Sequence, residues 1–131
     1  MKIRLRKTDK LFTKILRIKQ DFTCQRCKMK YVFEGVRVRS LGNLGVSHYF
    51  SRRKESTRFD EENCDLLCNI PCHQLWGHGE ERAEYTKFMI KKLGQKGLDL
   101  LELRAHTYTK RDDIKAELIL KEELKEMLKE L

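Results

Sequence analysis

The chain contains no apolar run approaching the roughly 18 residues that cross a bilayer, so a transmembrane helix is not expected. Its first residues, MKIRLRKTDKLF, lack the apolar stretch of a secretory leader. No internal repeat is visible, which argues against a solenoid or a propeller. Acidic residues are scarce in the first part. Residues 1–58 carry 17 Lys and Arg against 4 Asp and Glu, a net of +13, whereas residues 59–131 carry 12 against 16. A basic half of this kind suits a polyanionic partner, because Lys and Arg displace counterions from a phosphate backbone. It shows no clean amphipathic anchor for a membrane surface. The expectation is a soluble cytoplasmic protein with one compact domain and a helical extension in its 131 residues.

The apolar spacing of Leu11, Phe12, Ile15, Leu16 and Ile18 predicts a helix over residues 9–21, with Asp9 near its start. Tyr31–Val38 is rich in β-branched and aromatic residues and predicts a strand. A Gly/Asn turn at residues 41–45 and a second strand, Val46–Phe50, follow. Asn63–Leu67 reads as a short connection. A helix from Pro71 onward would carry Cys72, His73, Leu75 and Trp76. Further helices are predicted over 80–93, closed by Gly94, over 96–105, and over 110–131. In the last, Ile114, Leu118, Ile119, Leu124, Met127, Leu128 and Leu131 form a face for packing or for a homodimer. The organisation expected is a basic N-terminal helix (1–22), a zinc-bound core (23–80) and a C-terminal helical extension (81–131).

Five cysteines are present, and their clustering suits metal binding better than disulfides in a cytosolic chain. Cys24-x-x-Cys27 and Cys68-x-x-x-Cys72 supply four thiolates in two knuckles with 40 residues between them. Zn²⁺ favours such a tetrahedral set, and with all four positions filled by protein the ion would be structural. Cys64 is expected in the core as a small apolar side chain, with displacement of one of the four as the alternative. A redox-active dithiol is less favoured, because Cys24-x-x-Cys27 does not sit on a βαβ pattern.

Between the knuckles stand His48, Asn63 and then His73, directly after Cys72. This order, two strands and a helix around one metal, resembles the ββα-metal core of HNH nucleases. The segments Ser47-His48-Tyr49-Phe50-Ser51-Arg52, Arg58-Phe59-Asp60, Asn63, Cys68 and Cys72 resemble the phage recombination-associated NinG (Rap) group of HNH-like proteins. Gly77-His78, Tyr85 and Gly94 occupy similar places, and the likeness covers about residues 20–95.

The resemblance implies an α+β fold, a zinc-stapled ββα-metal core with flanking N- and C-terminal α-helices. It implies an endonuclease acting on duplex, branched or single-stranded DNA in a prokaryotic or phage-infected cell. His48 would take the proton from water. Asn63 would fix the loop that orients His48. His73, with His78, would hold one Mg²⁺ or Mn²⁺. Arg52, Arg53 and Arg58 would grip phosphates. One departure stands out: many HNH enzymes carry a metal-binding Asp where this chain has Ser47, so His78 or Asp60 would complete the ligand set. A non-catalytic zinc module that binds DNA is the alternative.

Overall fold

The computed structural model describes residues 4–77 and 79–130. Among these the fold is mixed, with four α-helices and two antiparallel two-stranded sheets. Helix α1 (Lys7–Lys19) starts two residues earlier than its apolar spacing suggested. Asp9 lies inside its first turn, where its carboxylate accepts the Arg6 backbone N–H at 2.7 Å. Phe12, Ile15 and Leu16 form the buried stripe.

The expected single strand over Tyr31–Val38 is instead a hairpin, β1 (Val32–Phe33) against β2 (Val36–Arg37). Glu34 and Gly35 form its turn, with φ of 47° and 81°. A two-residue connection needs this left-handed backbone if the paired strands are to keep their natural twist.

The central sheet pairs β3 (Leu44–His48) with β4 (Cys64–Cys68), placing Ser47 opposite Asp65 and His48 opposite Cys64. Residues 64–67 were expected as part of a connection. They form a strand in which every residue is buried. A strand covered on both faces shows no alternation, so its sequence does not display the period of two. Ser47 and Asp65 share one face, where they meet Tyr85 and Lys92 of the following long helix. Helix α1 also packs against both strands.

An irregular turn, Asn69–His73, holds Cys72, and regular helix begins only at α2 (Gln74–Gly77). Helix α3 (Arg82–Ala105) joins the two helices expected there and breaks at Gly94, whose φ of 76° and ψ of 161° suit glycine alone. Helix α4 (Asp113–Lys129) is capped by Asp112, which accepts the Lys115 N–H at 3.0 Å. It packs on α1. The face that docks matches the expected one only in part. Leu120 is buried and Leu124 and Met127 are partly buried, while Ile114, Leu118, Ile119 and Leu128 stay exposed; Leu131 lies outside the described residues. Side chains from residues 1–22, 23–80 and 81–130 share one buried cluster, from Phe12 and Ile15 through Leu66 to Leu101 and Leu120. No helix among the described residues is long and apolar enough to cross a membrane.

The Arg58-Phe59-Asp60 segment pins the loop between β3 and β4 at three points. Arg58 forms a two-pronged pair with Asp9, Nε–Oδ1 at 2.9 Å and Nη2–Oδ2 at 2.6 Å. Phe59 meets Phe12 edge-on, and Asp60 accepts Arg104 Nε at 3.0 Å. Arg58 and Asp9 are 2% and 6% exposed, so removing one partner strands a buried charge. Asp9→Ala should therefore cost roughly 3–5 kcal/mol of unfolding free energy. Glu117→Ala, which breaks the exposed pairs with Lys7 and Lys121, should cost far less. Urea titration of both variants tests the difference. Equal losses would mean that the Arg58–Asp9 pair does not fasten the loop.

Candidate active site and metal centre

The four cysteines of the two knuckles converge, their sulfur atoms lying within 4.8 Å of one another. A tetrahedron of Zn–S bonds of about 2.3 Å has S···S edges of about 3.8 Å, so small adjustments bring all four into contact with one ion. Backbone geometry builds the first knuckle. Lys28, at φ 63°, turns the chain so that its N–H reaches the Cys24 carbonyl at 2.9 Å. Met29 O accepts the Cys24 N–H at 3.0 Å, and Leu66 O of β4 accepts the Gln25 N–H at 2.8 Å. The second knuckle begins at the end of β4, and the wide turn 69–73 absorbs its extra residue.

Burial pushes the Cys72 thiol up to about 11, despite the hydrogen bond from Arg26, and pushes Cys27 and Cys68 up as well. At Cys24, burial again opposes ionisation. There the backbone N–H groups of Cys27, Cys68 and Arg26 outweigh it and lower the thiol. One thiolate is therefore prepared, and the other three ionise readily only beside a cation. The donor set fits a structural metal such as zinc. Arg26 was not foreseen. Its guanidinium lies 3.5 Å from Cys72 Sγ and also pairs with Glu81. A cation placed inside a Cys-x-x-Cys knuckle was the available signal. Cys64 is not in the cluster. It is buried, with its thiol 3.9 Å from the Arg58 carbonyl and pushed well above the usual range by burial.

His48 stands at the end of β3 with its Nε2 2.8 Å from the Arg58 carbonyl. A carbonyl oxygen can only accept, so this nitrogen carries the proton and Nδ1 keeps its lone pair. Burial lowers the imidazole from 6.5 to about 4, the positive charges of Arg52 and Arg58 assisting, while the Arg58 carbonyl and Asp9 oppose. Asn63 is fully buried and clasps the loop that carries this carbonyl. Its Oδ1 accepts the Phe50 N–H at 2.8 Å, and its Nδ2 donates to Phe50 O at 3.0 Å and Thr57 O at 3.1 Å.

The depressed imidazole has a stability consequence with a definite sign. In the unfolded chain His48 binds a proton near pH 6.5, and in the fold only near pH 4. Its contribution is complete above the first value and is lost as pH falls through the second. Stability should fall across that window by at most about 1.4 kcal/mol per pH unit from this group. His48→Gln, which keeps an N–H donor but cannot titrate, should flatten the slope. Urea midpoints from pH 6.5 to 4.5 compare the two, and parallel slopes would remove His48 as the cause.

The other expected site residues fall in different places. Arg58 was expected at a phosphate but is engaged inside, with Asp9 and with the Arg52 and Arg4 carbonyls. Arg52 is half-buried, and its Nε has no hydrogen-bond partner among the described residues. Arg53 is exposed and lines a cleft of about 1130 Å³ together with Arg4, Arg6, Lys7, Arg58, Arg111, Asp113 and Glu117. Ser47 is buried with its hydroxyl 3.0 Å from the Tyr85 hydroxyl. Asp60, expected as a possible ligand, is paired with Arg104. His73 ends the turn before α2, its ring against the Cα of Gly77. His78 lies outside the described residues. Among the described residues the four cysteines are the only group of three or more His, Cys, Asp or Glu side chains able to hold an ion.

No protein-family model, curated protein or solved structure matches the chain.

Proposed function

We propose that the chain is a metal-dependent HNH-type endonuclease, a hydrolase of DNA phosphodiester bonds built around a structural zinc. The observation that carries this reading is the state of His48. It is neutral, with one ring nitrogen tied to the Arg58 carbonyl at 2.8 Å and the other holding a lone pair. The orientation supports a general base, since the nitrogen that keeps its lone pair can accept a proton; burial, which lowers the imidazole to about 4, makes it a weaker base than one tuned near neutrality. Asn63 fixes the loop that supplies the carbonyl. The antiparallel pair β3–β4 followed by α2 has the order of a ββα core.

In this mechanism His48 Nδ1 takes the proton from the attacking water. Arg52, whose charge reaches His48, faces the developing negative charge of the phosphate. Arg53 and the basic residues that line the cleft with it hold the flanking backbone. His73 and His78 are the residues that would hold Mg²⁺ or Mn²⁺, an ion that neutralises phosphate charge.

A second reading, a non-catalytic zinc module that binds DNA, is favoured by one observation. Ser47, where a metal-binding Asp would stand, is buried on Tyr85. Incubating the zinc-loaded protein with supercoiled plasmid, with and without added Mg²⁺ or Mn²⁺, separates the two. Nicking that depends on the added ion supports the nuclease. Binding that weakens steeply with salt, without nicking under either ion, supports the module.

A further inference from the structure

The β1–β2 hairpin presents a surface that the proposed chemistry does not use. Residues 33–40 are all exposed. Phe33, Val36 and Val38 are 56%, 64% and 55% exposed and form an apolar patch. Pairing places Phe33 opposite Val36, and Arg37 opposite Val32 on the other face; Val38 and Arg39 follow the strand, both backbone N–H groups meeting the Tyr31 carbonyl. The prong is anchored at its base. Tyr31 is buried and accepts Asn43 Nδ2 at 3.0 Å, and its backbone carbonyl accepts the Val38 N–H at 3.0 Å. The zinc knuckle and the left-handed Glu34-Gly35 turn hold its two ends.

Charge decides what such a patch can meet. From Arg26 to Arg39 there are five cations and one carboxylate, Glu34. Arg26 is engaged with Glu81 and Lys30 with Asp21. Lys28, Arg37 and Arg39 make no ion pair among the described residues. A second copy of the hairpin would set arginine against arginine. A polyanion with flat apolar faces suits both halves of the surface, and single-stranded nucleic acid is such a polymer. In a duplex the base faces are already stacked, leaving Phe33 nothing to cover. Lys30 Nζ lies 5.3 Å from the Phe33 ring centre, on an aromatic already placed among cations.

We infer that the β1–β2 hairpin is a stacking prong for unpaired DNA bases, with Phe33 covering a base and Arg37 and Arg39 on the adjoining phosphates. It rests on the reading of DNA as the substrate and assigns that substrate a class: strands with unpaired bases, as at single-stranded tracts and branches.

The test measures anisotropy of a labelled oligothymidylate and of a duplex of equal length. It uses the full zinc-loaded chain with no added Mg²⁺ or Mn²⁺, so that binding is read without cutting. Phe33→Ala and Phe33→Leu should each weaken oligothymidylate binding about tenfold and change duplex binding less than about twofold. Phe33→Trp should retain affinity, and its fluorescence should be quenched by the oligomer. The single native Trp76 is buried and gives a steady background. Arg37→Glu with Arg39→Glu should weaken both ligands.

Equal losses on both DNAs, or none, in Phe33→Ala would overturn the inference. So would a Leu variant that binds like the parent, since it keeps apolar area without a stacking face. Phe33-dependent binding to phosphatidylserine vesicles with no effect on oligothymidylate would assign the patch to a membrane instead. The two readings fail separately. Ion-dependent nicking with indifferent Phe33 variants would leave the nuclease and remove the prong. Phe33-dependent binding without nicking would do the reverse.

Discussion

His48→Ala is expected to lower DNA cleavage by roughly 10²–10⁴-fold, the usual effect of losing a positioned general base. Zinc content and DNA affinity should stay close to those of the parent, because neither uses this imidazole. The alanine variant also leaves the Arg58 carbonyl without its 2.8 Å donor, so some loss could come from a loosened loop. His48→Gln can supply that donor and cannot take a proton from water near neutral pH. Both variants should therefore be equally slow, while the glutamine variant remains the more stable. Raising Mn²⁺ should not rescue either. It should partly rescue His73→Ala, whose imidazole is assigned to the ion. Plasmid nicking under single-turnover conditions measures all three. A glutamine variant that cuts as fast as the parent would remove His48 from the chemistry.

Loss of the metal that the four cysteines are proposed to hold should be the most damaging single perturbation of the fold. The four sulfurs tie residues 24–27 to the end of β4 and to the turn before α2. Structural zinc in small domains contributes on the order of 10–16 kcal/mol of apparent binding free energy near neutral pH. Cys24→Ser should lose the ion and unfold the region around the first knuckle, because Cys24 is fully buried and is the thiol most readily ionised. Cys64→Ala should keep one zinc per chain, since its sulfur stands apart from the cluster, and should cost only about 1–2 kcal/mol for the small cavity. Metal content by mass spectrometry and thermal unfolding with and without chelator check both. Retention of a full equivalent in Cys24→Ser, with an unchanged transition, would contradict the assignment.

The central core places β3, β4 and α2 in sequence, with His48, Asn63 and His73 at three successive junctions. The His48 ring is oriented indirectly. Asn63 holds the Phe50 and Thr57 backbone, that loop presents the Arg58 carbonyl, and the carbonyl sets the His48 tautomer. The Arg58 side chain meanwhile holds the same loop to α1 through Asp9. One residue thus holds the His48 ring with its backbone and fastens the loop to α1 with its side chain.

The sequence alone determined what depends on neighbours a few residues apart. Knuckle spacing marked Cys24, Cys27, Cys68 and Cys72, because two thiols three or four residues apart share one turn of chain. Apolar periodicity located α1, α3 and α4 within a few residues, and Gly94 marked the break in α3. Only the tertiary structure decided which partner each group would meet. Cys64–Cys68 became a strand because both its faces are covered, and no local period reports that. An arginine in a basic stretch looks the same whether it faces solvent or the interior. Arg58 turned inward because Asp9, 49 residues away, lies opposite it. Along α4 the apolar residues outnumber those that one neighbour can cover, so contact with α1 selected Leu120, Leu124 and Met127 and left Ile114, Leu118, Ile119 and Leu128 exposed.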